Sequence, residues 1–155
     1  MDRPASGLVA GDGGVIHASQ PTYPPRGFLV VTDAVQSVQY GTYLGGELTQ
    51  VNSIVSQTGR VYVAGNTLGG LPMKDAFQPD LAGGTDGFVA VFDDNGMLLW
   101  STYLGGSGED SISSVWLLAD GSVVVSGATG SSDFPSAKPS ALGKGFTFFA
   151  RLRPD

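Results

Sequence analysis

This sequence predicts an all-β fold of repeated four-stranded antiparallel meanders, and three observations lead to it. Glycine and proline supply 33 of the 155 residues, about a fifth, against roughly 12% in an average protein. Only 14% of the residues are charged and 41% are apolar, which excludes both a disordered chain and the composition of a coiled coil. Finally, the segment Thr-Tyr-Leu-Gly-Gly stands at Thr42–Gly46 and again at Thr102–Gly106, sixty residues apart, and such repetition is the mark of a repeat architecture.

The repeat extends well beyond that segment. GFVAVFDDNGMLLWSTYLGG, from Gly87, aligns without a gap with GFLVVTDAVQSVQYGTYLGG, from Gly27. A second block recurs three times, from Leu8, Ile54 and Leu117, and a third Gly-Phe segment, GFTFFARL, starts at Gly145. The chain 1–155 therefore reads as one segment of three units, approximately 7–46, 52–106 and 112–153.

Each unit reads as strands. Leu8–Ala10 and Val15–Ser19 flank the turn Asp12-Gly13, and Thr58-Gly59 and Asp120-Gly121 take the same place in the later units. Glycine there supplies the positive φ of a tight hairpin. The stretches Thr67–Thr85 and Thr129–Lys144 are expected to be loops, since Pro79 interrupts the one stretch with helical spacing. In the next strand Phe88, Ala90 and Phe92 point to one side and Val89 and Val91 to the other. Both faces are apolar, as in a strand packed between neighbouring layers. Asp93–Gly96 is a turn, and Met97–Leu104 is a fourth strand from which Gly105-Gly106 starts a crossing, as Gly45-Gly46 does in the first unit. Repeated four-stranded meanders describe β-propeller blades. The third unit ends after its third strand, and Met1–Ser6, with Pro4, is not expected to supply a fourth. The expectation is three blades, the last lacking its outer strand, with eleven strands in all.

The strings WSTYLGGSGEDSISSVWLLADGSVVVSGATGSSDFP and AFQPDLAGGTDGFVAVFDDNG resemble the bacterial β-propeller repeat called SBBP over about residues 7–153. The resemblance implies a propeller fold, with a setting in large, often exported bacterial proteins, and it transfers no catalytic residue. The second unit fits best. In the first, Gln20–Arg26 replaces the SSDFP–AFQ–GGSD stretch and Ala34–Ser37 replaces the glycine turn.

A net charge of −6 argues against nucleic acid as a partner. No stretch approaches the roughly 18 apolar residues of a membrane-spanning helix, and Met1–Gly14 lacks the apolar core of a secretion signal. With no cysteine, there is no thiolate chemistry and no disulfide framework. His17 is the single histidine and reads as a strand residue. Gly11, Gly13 and Ile16 miss the last glycine of a dinucleotide fingerprint. Asp93-Asp94-Asn95-Gly96 does not meet calcium-loop spacing, so its acids are turn residues. No cofactor or metal is expected.

The loop face is the candidate binding surface, gathering Glu47, Asp75, Asp80, Glu109, Asp110 and Asp133, because function on β scaffolds lives on loops. Trp100 with Tyr40, and Tyr103 with Tyr43, occupy two repeat positions and are expected to pack between blades. Propellers close with about four to eight blades, so three need a partner. The expected function is a non-catalytic scaffold or binding module that completes a six-bladed ring as a homodimer, with a protein or glycan ligand. The strand carrying Phe146, Phe148, Ala150 and Leu152 is its expected oligomer edge. The alternatives are a fragment of a larger exported or cell-surface propeller protein, and a propeller lyase or hydrolase, which would need converging carboxylates on that face.

Overall fold

The computed structural model describes residues 7–10, 14–17, 27–32, 37–46, 48–135 and 146–154. They form eleven strands, and no helix is found among the described residues: β1 (Gly7–Ala10), β2 (Gly14–His17), β3 (Gly27–Thr32), β4 (Val38–Leu44), β5 (Gln50–Gln57), β6 (Arg60–Thr67), β7 (Asp86–Asp93), β8 (Leu98–Leu104), β9 (Asp110–Leu117), β10 (Val123–Thr129) and β11 (Phe146–Leu152). The second unit is a complete antiparallel meander, β5-β6-β7-β8, and the third is the three-stranded sheet β9-β10-β11. The first unit differs from the expected single meander. Its strands stand as two hydrogen-bonded pairs, β1-β2 and β3-β4, with β2 lying beside β3. His17 is opposite Gly7 in the β1-β2 pair; Met1–Ser6, the turn Asp12-Gly13 and Gln20–Arg26 lie outside the described residues.

Strand β7 organises the core. All but its last residue are buried, and its alternating side chains feed two separate clusters. Phe88, Ala90 and Phe92 join Leu29 and Leu44 of the first unit. Val89 and Val91 join Ile112, Val123 and Phe148 of the third. The sheets thus stack face to face, with the second unit between the other two.

The hairpin turns follow their residues. Thr58 and Gly59 have φ of 52° and 73°, the mirror-type geometry that matches strand twist, whereas Gly96 and Gly121, each with φ of 80°, close type I turns by donating to the carbonyls of Asp93 and Leu118. Asp93 holds its own turn, its Oδ1 accepting from the backbone N–H groups of Asn95 (2.9 Å) and Met97 (2.8 Å). Thr67–Thr85 is a loop as expected, pinned along β8. Ser101 N–H donates to the Lys74 carbonyl and Tyr103 N–H to that of Gln78.

Two irregularities recur and fix how the units correspond. Opposite β6, strand β5 bulges between Val51 and Ser53; opposite β9, the register of β10 shifts between Ser126 and Gly127. At each bulge a glycine sits where a Cβ would overlap a carbonyl oxygen, Gly65 against Gln50 and Gly127 against Ser111. Likewise, β3-β4 and β7-β8 shift register at Val31/Thr32 and Val91/Phe92. Gly65 is opposite Phe88 and Gly127 opposite Phe148, so Phe148 is the counterpart of Phe88. The Gly-Phe pair at Gly145 is therefore offset by two residues from the structural repeat, and Phe146 takes the place of Asp86.

A bulge closed over a glycine leaves no room for a methyl group. Gly65→Ala is expected to destabilise the chain by about 2 kcal/mol or more, against the roughly 0.5–1 kcal/mol by which alanine is ordinarily favoured over glycine inside a strand. Urea unfolding read by tryptophan fluorescence measures this.

Candidate functional site

The expected acidic face does not assemble as one cluster. Glu47 lies outside the described residues. Asp75, Asp80, Glu109 and Asp133 are exposed, whereas Asp110 is buried. Among the described residues, no group of three or more acidic or histidine side chains is placed to hold a metal ion. Asp133 acts as a tie: its Oδ1 accepts from the Ser107 N–H (2.8 Å) and hydroxyl (2.9 Å). Those bonds hold its carboxyl below the usual range.

What the fold does gather is Asp86 and Asp110, around the crossing that follows β8. Asp86 Oδ2 accepts from Gln78 Nε2 (2.9 Å) and Ala82 N–H (2.8 Å). Gln78 Oε1 in turn accepts from Gly105 N–H at 3.1 Å. Asp110 Oδ2 accepts from Gly106 N–H and the Ser131 hydroxyl, both at 2.7 Å. The two glycines are thus clasped from both sides, and Gly105 has glycine because a Cβ would meet the Asp86 carboxyl. The two Gly-Gly crossings do not share one backbone geometry: Gly45 has a φ of 70°, while Gly105 is not in the left-handed region. At the first crossing Gly46 N–H donates to the Gly69 carbonyl at 2.9 Å, and Thr49 Oγ1 bonds Thr67 Oγ1 at 2.7 Å.

Both aspartates are fully buried or nearly so, and Oδ1 of each has no hydrogen-bond partner. Burial pushes the Asp86 carboxyl up, the Ala82 N–H opposes this, and the neighbouring Asp110 adds to the rise. Asp86 and Gln78 escape a reading based on exposed loop acids. Their signal is the family-like strings at Gly83–Asp86 and Ala76–Gln78, each present once in the chain, in which Asp86 is buried and Gln78 half-buried.

The repeat aromatics divide. Trp100 and Tyr103 are buried; Trp100 Nε1 donates to the Asp75 carbonyl (2.9 Å) and Tyr103 Oη accepts from Leu71 N–H (3.3 Å). Tyr40 is half-buried and hydrogen-bonds the Asp93 carbonyl. Burial, with Asp93 and Asp94 nearby, pushes its hydroxyl up to about 12. Tyr43 departs from the packing expectation, being 75% exposed.

Beside β11 opens a cleft of about 1210 Å³, lined by Trp100, Leu104, Phe148 and Leu152 with Asp75 and Asp133 at its edge. Phe134 stacks on Phe148 with ring centroids 4.3 Å apart. On the other face of the strand, Arg151 pairs with Asp120, which Ser122 and then Arg151 hold below its usual range. In the expected edge set, Phe148 and Leu152 are buried, Ala150 is half-buried and Phe146 is exposed.

A complete four-stranded meander, flanked by sheets that repeat its bulges and its Gly-Gly crossing, is the geometry of a propeller repeat. Residues 39–72 match the family model of the SBBP beta-propeller repeat. The match covers that one stretch and supports the propeller-repeat resemblance read from the sequence. The matched SBBP stretch runs from β4 through the first crossing, β5 and β6 to Pro72, so it spans the junction between two sheets. No curated protein matches the chain. Among the described residues no helix is long and apolar enough to cross a membrane.

A carboxyl whose folded pKa is raised contributes most stability while protonated. That contribution is complete below the ordinary aspartate range and is lost as pH rises through the raised value. Asp133 and Asp120, with lowered values, act in the opposite sense, so the comparison with Asp86→Asn isolates the Asp86 part. The unfolding free energy of the native chain minus that of Asp86→Asn is expected to fall as pH rises from about 3 toward neutrality. Urea titrations over that range check the sign.

Proposed function

We propose that this chain is a non-catalytic β-propeller scaffold of three blades, which completes a six-bladed ring with a second copy and presents its loops to a protein or glycan ligand. One observation carries the reading: positions buried between units are exposed on the two end faces. Tyr103, facing the first unit, is 5% exposed, and its repeat counterpart Tyr43 is 75% exposed. Val89, facing the third unit, is 0% exposed, and its counterpart Phe149 is 74% exposed. Large aromatics on two opposite flat faces favour association, because covering them removes apolar area from water at about 25 cal/mol per Å². A closed two-fold arrangement sets the first blade of each chain against the third of its partner and leaves no open face. Asp86 and Asp110 each commit Oδ2 to backbone and side-chain donors at the crossing, which supports a structural rather than a chemical use of these carboxyls. The SBBP resemblance supports a setting in an exported or surface protein.

Sedimentation equilibrium of the 15.9 kDa chain is expected to give twice that mass at micromolar concentration. Tyr43→Glu and Phe149→Glu, both at sites exposed in the single chain, are each expected to weaken association about tenfold or more while keeping the fold. A concentration-independent monomer overturns ring closure by a second copy.

A further inference from the structure

The cleft beside β11 has the outline of a seat for one extended strand, and the molecule shows how such a seat is filled. In the second unit β8 runs antiparallel along the outer edge of β7. Tyr103 stands opposite Phe88, Ser101 opposite Ala90 and Trp100 opposite Val91. In the first unit β4 runs along β3 in the same way, with Tyr43 opposite Phe28 and Tyr40 opposite Val31. Strand β11 is the third member of this series, with Phe148 in the place of Phe88 and Ala150 in that of Ala90. It is paired on one side by β10, and among the described residues no strand pairs its other side. A row of N–H and C=O groups on such an edge is a template for an added strand.

The side chains beside that edge are specific about what they fit. Phe148, Trp100 and Leu104 supply an apolar wall, and Phe134 closes one end by stacking on Phe148. Trp100 is 5% exposed although it borders the cleft, so a newcomer meets only a small part of its indole. By the β7-β8 register, a strand laid along β11 brings an aromatic opposite Phe148 and a small residue opposite Ala150, both on the cleft side. Its alternate residues face outward with Phe149 and Arg151.

We propose that the β11 edge and its cleft form a strand-acceptor site for an extended peptide of the repeat's own fourth-strand type, apolar-apolar-aromatic-Ser-Thr-Tyr-Leu as in Leu98–Leu104. It binds antiparallel by main-chain pairing, with its tyrosine seated between Phe148 and Trp100. This rests on the propeller-repeat reading and is independent of whether a second copy closes a ring. Main-chain bonds provide the affinity in such additions, and pockets for alternate side chains provide the selectivity.

The probe is a synthetic peptide of residues 97–106, dye-labelled at its N-terminus and titrated with the intact chain by fluorescence anisotropy. Saturable one-to-one binding is expected. Binding by the same peptide N-methylated on alternate ladder N–H groups should be about tenfold weaker or more, since the side chains are kept and the ladder bonds removed. Replacing its tyrosine by aspartate should weaken binding to a similar degree. Because all changes are in the peptide, no folding defect of the protein enters. Absence of saturable binding, or equal binding of the N-methylated or scrambled peptide, overturns the proposal. Sedimentation separates the two ideas. Specific peptide binding by a strict monomer upholds the strand seat and ends ring closure by a second copy, whereas a dimer that ignores the peptide does the reverse.

Discussion

The structure depends on β7 having no solvent side. A strand whose odd and even residues are both apolar can be satisfied only by a layer on each face, and this chain supplies them from its two flanking units. Phe88, Ala90 and Phe92 on one face and Val89 and Val91 on the other are the points at which the three units meet. Close packing at each face leaves little tolerance for volume change, so the spacing of the sheets is set by these side chains and not by the loops between them.

The crossings translate that stacking into a fixed offset. Asp86 and Asp110 grip Gly105-Gly106 through Gln78, Ser131 and backbone N–H groups, while Asn52 Nδ2 donates across the stack to the Ile112 carbonyl at 2.8 Å. Buried donors and acceptors must find partners, and here most partners belong to a different strand or unit from the group they satisfy. The polar groups therefore specify how one sheet sits on the next, and the apolar clusters supply the bulk of the attraction. Among the described residues, the buried side-chain atoms without a partner are Oδ1 of Asp86 and of Asp110, and burial raises the Asp86 carboxyl.

Much of this was legible in the sequence. The strand count, the hairpin turns, the loop nature of Thr67–Thr85 and the two-faced character of β7 follow from local rules: glycine at turns, alternation in strands, proline against helix. Other features depend on who the neighbours are, which no local window contains. Gly65 and Gly127 read as ordinary strand glycines until the bulged strand beside them is in place. Tyr43 reads like Tyr103 because the two share a motif, yet one faces a sheet and the other faces outward. Asp110 reads as a loop acid because a carboxylate in a Gly/Ser-rich stretch is usually solvated, and only the turn of the chain around Gly106 buries it. Asp86 hides for the reverse reason: its motif reads as family likeness, and only the folded chain turns its one charged residue inward.

The stacking has a bearing on cooperativity. In a linear stack each unit contacts only its neighbours, and total stability approximates a sum of unit terms and interface terms. Here the middle sheet has two interfaces and each end sheet one, so the free energy of opening is graded along the chain rather than uniform. The middle sheet should open last, and amide exchange in β6 and β7 should report the global transition while the ends exchange through smaller openings. Added copies of the middle unit would lengthen the plateau of high protection without altering the two sloping ends.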